Sequence, residues 1–310
     1  VTAASAAAVV DSHRRVDPAL LAASIAIVAW GCGPLIVRGI SADAYAITFF
    51  RMVLAVPIMF LAARLAGESV TLPLLRRCLV PGFFFGTGML VGFAAFQRTS
   101  IANATLIGAL APALILLGAG RFVGERADRD RLPFAVLSMG GMALVVLAGS
   151  STSGASLGGD LLALVNLLFF TAYFLLMKRR RNDGMGSWAF LAAVFVVGTA
   201  VVAPVCALLT DDLGAVNGTD WFLVAAMILG PGVIGHGLMT WASGQLPVTT
   251  SSLLTLGSPV VSVLGAWIVY EQRLGALQLV GAVLVLLGLL GVVWDRRSSG
   301  ADVPPAVEAL

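Results

Sequence analysis

The amino-acid sequence predicts an all-α integral membrane protein: ten transmembrane helices, arranged as two inverted five-helix repeats, with both termini cytoplasmic. Three observations lead there. Hydrophobic residues make up 59% of the 310 residues and charged residues 11%, with a mean hydropathy of +0.99; soluble domains carry about 25% charged residues. The apolar residues fall into ten runs, each near the ~20 residues that a helix needs to cross a bilayer core. Landmarks of the first half recur about 147 positions later.

The ten runs are 19–39, 44–63, 79–97, 99–119, 132–149, 160–178, 188–209, 221–243, 247–269 and 276–294. Runs this long exclude barrel strands, and backbone groups in lipid must be paired within a helix. Orientation follows from the basic residues, which concentrate in cytoplasmic loops. With the N-terminus inside, the inner segments hold Arg14 and Arg15, Arg64, Arg76 and Arg77, Arg121 to Arg131, Lys178 to Arg181, and Arg296 and Arg297. Outer loops hold only Arg38, Arg98 and Arg273, and Arg51 lies within a run. Residues 1–17 read as a cytoplasmic tail before an uncleaved helix, 18–150 and 151–297 as the two repeats, and 298–310 as a disordered tail.

The repeat is read from spacing. Pro57 and Pro204, Pro112 and Pro259, and Gly118 and Gly265 are each 147 positions apart. TLIGALAP (105–112) and SLLTLGSP (252–259) share that offset, and Glu125 and Glu271 differ by 146. The halves open alike, with LLA at 20–22 and 161–163 and then Arg38 and Arg179, offset by 141. Five helices is an odd number, so the second copy enters the membrane from the opposite face, as in inverted-repeat transporters. Pro112 and Pro259 fall about 18–20 Å into their runs, near the midplane. A proline there removes a helix hydrogen bond and frees a carbonyl; a matched pair of such breaks points to a midplane site between the halves. Glu125 and Glu271 close their runs beside arginines, as end caps or gating carboxylates.

The order and duplication of these features resemble the drug/metabolite transporter superfamily, EamA type. The residues that carry the resemblance are LAPALILLGAGRFVGER and GSPVVSVLGAWIVYEQR, Trp30–Gly31 in the first run and Arg51 early in the second, within 18–295. The second half departs at the Trp-Gly position, where Phe170, Thr171 and Ala172 stand. The resemblance implies export or exchange of small metabolites, often amino acids. It also implies a central cavity lined by runs 1, 3, 4, 6, 8 and 9, with runs 5 and 10 as scaffold.

His236 is the sharpest candidate for chemistry. It is the only histidine inside a run, about 22 Å deep, and an imidazole can carry a proton near neutral pH. The matching stretch of run three is Gly86-Thr87-Gly88, without a histidine. Arg51 lies about 10 Å below the outer surface with no acidic residue at its depth, and is expected to snorkel outward, pair with carbonyls or attract substrate carboxylates. Trp30, Pro34, Phe84, Thr87, Asn103, Pro112, Asn166, Tyr173, Trp241 and Pro259 complete the expected substrate cavity, and Phe83 to Phe85 and Trp267 are further aromatic candidates for its wall.

No cofactor, metal or nucleic-acid motif is present. Cys32, Cys78 and Cys206 lack paired spacing, and no P-loop occurs. GASLG (154–158) matches the serine-nucleophile pattern but lies in an expected outer loop with no base at hand. The expected partners are a small molecule, the bilayer and, as coupling ion, protons. An intramembrane enzyme would need clustered Asp, His or Ser at one depth, and a channel a continuous polar lining; the sequence shows neither.

Overall fold

The computed structural model describes residues 17–99, 104, 107–124, 132–149, 156–270 and 276–299. Residues 1–16 and 300–310 of the expected tails, Asn103, Glu125 and Glu271 lie outside them, whereas Ser298 and Ser299, expected in the disordered tail, are helical. The described residues are helical, without strands. The helices are α1 (Pro18–Gly39), α2 (Ala44–Leu65), the short α3 (Leu72–Arg77), α4 (Leu79–Arg98), α5 (Ala111–Phe122) and α6 (Leu132–Gly149). After them come α7 (Leu157–Asn182), α8 (Ser187–Leu209), α9 (Thr219–Ser243), α10 (Val248–Leu254), α11 (Gly257–Tyr270) and α12 (Ala276–Ser299). By length and composition α1, α2, α4, α7, α8 and α9 can each cross a membrane. Leu117, Leu157 and Leu208 are 82, 77 and 84% exposed, a surface that suits lipid rather than water.

Local sequence sets the helix ends. Asp17, Asp43, Thr71 and Ser156 each accept a backbone N–H of the helix they start, using donors that a first turn leaves unpaired. Pro18 and Pro73 occupy first-turn positions that need no N–H. The prolines singled out in the sequence fall at such places too. Ala109 and Leu110 form a turn before α5, so Pro112 sits in its first turn; Thr255 and Leu256 form a turn before α11, so Pro259 does likewise. The expected break is there but lies ahead of each proline: the helices restart at Ala111 and Gly257, so the missing proline N–H falls in a first turn that leaves its N–H groups unpaired in any case.

The two halves interlock through matching contacts. α1 packs on α9 and α11 of the second half, and α7 packs on α4 and α5 of the first. Two further large interfaces, α2 with α8 and α6 with α12, join helices to their own repeat mates, and α4 also packs on α8. The Thr199 hydroxyl donates to the Met52 carbonyl (3.1 Å) and the Ser138 hydroxyl to the Val285 carbonyl (3.4 Å). Both pairs are 147 positions apart, as expected of residues beside a local two-fold axis.

These mates run antiparallel. Asp43, at the start of α2, accepts from the Thr210 hydroxyl just past the end of α8 (2.8 Å). Glu68, beyond the end of α2, accepts from the Ala189 N–H in the first turn of α8 (2.7 Å). In α6 and α12, Gly141 abuts the Gly281 carbonyl while Gly291 abuts the Phe134 ring, again in opposite chain order. A second copy turned over relative to the first produces this arrangement; two copies the same way round would place equivalent helices parallel.

Candidate functional site

The site forms where helices of both halves cross. Its wall is Phe84, Phe85, Gly88 and Met89 of α4, Asn166, Phe170 and Tyr173 of α7, and His236 of α9, around about 10 Å³, room for roughly one water. His236 is 4% exposed. Its ring lies 5.0 Å from Trp30 of α1, 4.9 Å from Phe85, 6.4 Å from Tyr173 and 6.5 Å from Phe195. Trp30 meets Phe170 edge-on at 6.2 Å. Phe170 adjoins the departed Trp-Gly position of the second half, so the contact joins the two halves.

Backbone geometry brings these groups together. A Cβ on Gly235 would lie 2.6 Å from the Trp30 ring, so only glycine admits the indole. A Cβ on Gly86 would lie 2.7 Å from the Gly198 Cα, which lets α4 press on α8. α9 is irregular where it reaches the site: residues Ile228–His236 form a π-helical stretch containing Pro231 and ending on the histidine. Widened turns of this kind recur at functional sites.

Trp30 Nε1, packed on the His236 ring, is buried and hydrogen-bonded to nothing among the described residues. Thr87 Oγ1 and Thr171 Oγ1 are also buried without a partner among them, but both residues lie outside the cavity wall, Thr87 against expectation. No bond to the Asn166 amide is made among them either; it rests on Gly88 and Gly92. A buried donor left unmade costs about 1–3 kcal/mol, so the Trp30 N–H and the Asn166 amide are placed to meet polar atoms from elsewhere.

The sequence reading placed Phe84, Asn166, Tyr173 and His236 in the cavity, and they line it. Trp30 packs on its histidine. Pro34 instead lines a separate cavity of about 260 Å³ with Val37, Arg38, Ile40, Phe96 and Gln97, at the end of the bundle opposite Lys178–Arg181. Trp241 is half-buried and outside the central wall, and neither Pro112 nor Pro259 lines it. Met89 and Phe170 are wall residues that the cavity expectation omitted. Arg51 corrects another expectation: it does not snorkel outward. It is 3% exposed, with Nη1 3.0 Å from the Met89 sulfur and the guanidinium 5.2 Å above the Phe93 ring. Cys32, Cys78 and Cys206 are free thiols.

The opposite end of the bundle is tied shut by α7. The Lys178 ammonium is buried and donates to the Ser243 and Leu246 carbonyls (both 2.8 Å) and to Asn182 (2.9 Å). Arg181 Nε donates to the Thr240 carbonyl (3.2 Å). Cations at a helix C-terminus satisfy its last carbonyls and its dipole.

A bundle of apolar helices with antiparallel repeat mates and a polar-studded aromatic pocket between them defines a multi-pass membrane protein of the transporter class. The chain belongs to the EamA-like transporter family, whose model matches it twice, at residues 17–147 and 157–294. It is 27% identical over 250 residues to the aromatic amino acid exporter YddG of Ancylobacter novellus, covering 76% of this chain and 84% of that one. It is 26% identical over 255 residues to the uncharacterized transporter YcxC of Bacillus subtilis, covering 76% and 78%. A crystal structure with 22% identity has the same fold, with a TM-score of 0.73 over 91% of this chain and 98% of that one.

Proposed function

We propose that the protein is a secondary active exporter or exchanger of a small amphipathic metabolite, an amino acid with an apolar or aromatic side chain. It works by alternating access through the site between the two halves, with all ten runs crossing the membrane and both termini cytoplasmic. The observation that carries this reading is the buried His236 within an aromatic box contributed by both repeats, with the unpartnered indole N–H of Trp30 beside it. The relative named an aromatic amino acid exporter supports it.

Turned-over copies explain how access alternates. Each half can adopt the packing of the other, which exchanges the open end for the closed one without a second fold. In the present state the Lys178 and Arg181 caps hold the basic, cytoplasmic end, while the 260 Å³ cavity lies at the other. His236 carries the coupling proton: it is the ionisable group of the aromatic box, and intramembrane ionisable groups mark ion paths.

Counterflow in proteoliposomes tests the function. Labelled amino acids should exchange with saturation; a leak linear in concentration would make the protein a channel, and product formation an enzyme. An imposed pH gradient should drive net uptake in the wild type and not in His236→Ala. Undiminished gradient dependence in that variant would remove the proton role.

A further inference from the structure

We propose that Arg51 is the receptor for the substrate carboxylate, and that the Met89 thioether is the group the carboxylate displaces. This rests on the transporter reading above and adds the residue that receives the acid end of such a substrate.

Arg51 is a buried cation without a counter-charge among the described residues. Its guanidinium has five N–H donors in a planar fork. One of them meets a thioether sulfur, a weak acceptor, at 3.0 Å. Nε has no partner, and no carboxylate among the described residues accepts from the group. The Phe93 face, 5.2 Å away, offsets part of the charge burial, but it takes up no N–H in the plane of the fork. Buried charges are otherwise paired, and the fork geometry suits a carboxylate bound through two oxygens.

Position supports the same ligand. Met89 is at once the partner of Arg51 and part of the cavity wall beside His236. The guanidinium is therefore one side chain away from the cavity. Methionine is unbranched and turns easily about three bonds, so its side chain can yield the place to an anion. A carboxylate on Arg51 would leave the rest of the molecule among Phe84, Phe85 and Phe170. The charge has no mate: 147 positions on from Arg51 stands Gly198, packed against Met52 and Gly86. The bound substrate is thus oriented, its acid end toward the start of α2.

The test compares L-phenylalanine with phenethylamine, which keeps the ring and amine and lacks the carboxylate. Both are read by thermal shift of the solubilised full chain and by inhibition of counterflow. The wild type should respond to phenylalanine at concentrations at least tenfold below those needed for phenethylamine. In Arg51→Gln that gap should fall to within twofold, while Met89→Leu should keep it. Met89→Glu places an internal carboxylate beside the guanidinium: the phenylalanine response should drop more than tenfold, and by more than the phenethylamine response does. A tenfold gap surviving in Arg51→Gln overturns the proposal. So does an unchanged phenylalanine response in Met89→Glu, which decides the matter if Arg51→Gln does not fold. Equal wild-type responses to the two probes, none included, overturn the carboxylate assignment while leaving the transporter reading to counterflow of other solutes.

Discussion

α4 and α9 occupy equivalent places in the two halves, and both contain a Pro-Gly pair followed by Gly-x-Gly. They absorb the proline in different ways. In the first half the chain breaks at Cys78 and α4 restarts, so Pro81 falls in a first turn where no N–H is required. In the second half α9 runs unbroken from Thr219, and Pro231 lies mid-helix. There it lacks a donor and crowds the preceding turn, and the helix widens into π-helical turns over Ile228–His236. At the matching position the regular copy carries Thr87, off the cavity wall, and the widened copy His236, on it. Near-identical scaffolds thus carry unlike groups at the centre, which gives the site a direction that a symmetric pair would lack.

Exchanging those groups is the harshest way to break the comparison. His236→Thr should reduce pH-driven uptake by more than tenfold, whereas Thr87→Val should stay within twofold of wild type. The double variant Thr87→His with His236→Thr should not recover uptake, since α4 lacks the widened turns. Recovery would mean that the two copies are interchangeable at this depth.

The prolines sharpen it next. Pro231→Ala restores a backbone donor and should let α9 tighten, raising thermal stability by the equivalent of up to ~3 kcal/mol while lowering uptake several-fold as His236 turns away. Pro81→Ala, in a first turn, should change neither by more than about 0.5 kcal/mol or twofold. Melting curves and uptake on the same preparations decide this.

A third contrast lies in the paired glycines. A Cβ on Gly86 would press on Gly198 backbone, and one on Gly235 on the Trp30 ring. Backbone cannot step aside and a side chain can. Gly86→Ala should therefore cost about 1–3 kcal/mol with substrate preference intact, and Gly235→Ala less, with a changed preference as the indole shifts.

How far the sequence revealed all this depends on what each signal encodes. The 147-residue offset is a property of spacing, and it reappears as the Met52–Thr199 and Ser138–Val285 contacts. Span positions follow from hydropathy, and for the six helices long and apolar enough to cross a membrane they agree to a few residues; the runs 99–119 and 247–269 are instead interrupted before their prolines. The break before Pro112 and Pro259 was half-legible: the proline marks it, but whether a helix kinks or restarts depends on the tertiary partners. Which face of a helix points inward was not legible, because apolar residues surround a membrane helix on every side. Hence the outward course was one of three left open for Arg51, which lies inward, and Met89 passed as an ordinary apolar residue. The π-helical stretch left no spacing signal either.

The smallest expected effect concerns the antiparallel tie between α2 and α8, which the repeat comparison requires. Burial raises the Asp43 pKa, but hydrogen bonds from the Ala46 N–H, the Thr210 hydroxyl and the Asp211 and Tyr45 N–H groups outweigh it and hold the carboxyl below its ordinary value. A carboxyl lowered in the folded state contributes stability above its unfolded pKa of about 3.9 and loses that contribution as pH falls through its lower native value. Asp43→Ala should cost about 1 kcal/mol as a lost helix cap. Asp43→Asn keeps the cap and should flatten the dependence of melting temperature on pH below about 4. If Asp43→Ala melts with the wild type at neutral pH, the Asp43–Thr210 contact does not hold the ends of α2 and α8 together, and the antiparallel pairing must rest on Thr199 and Glu68 alone.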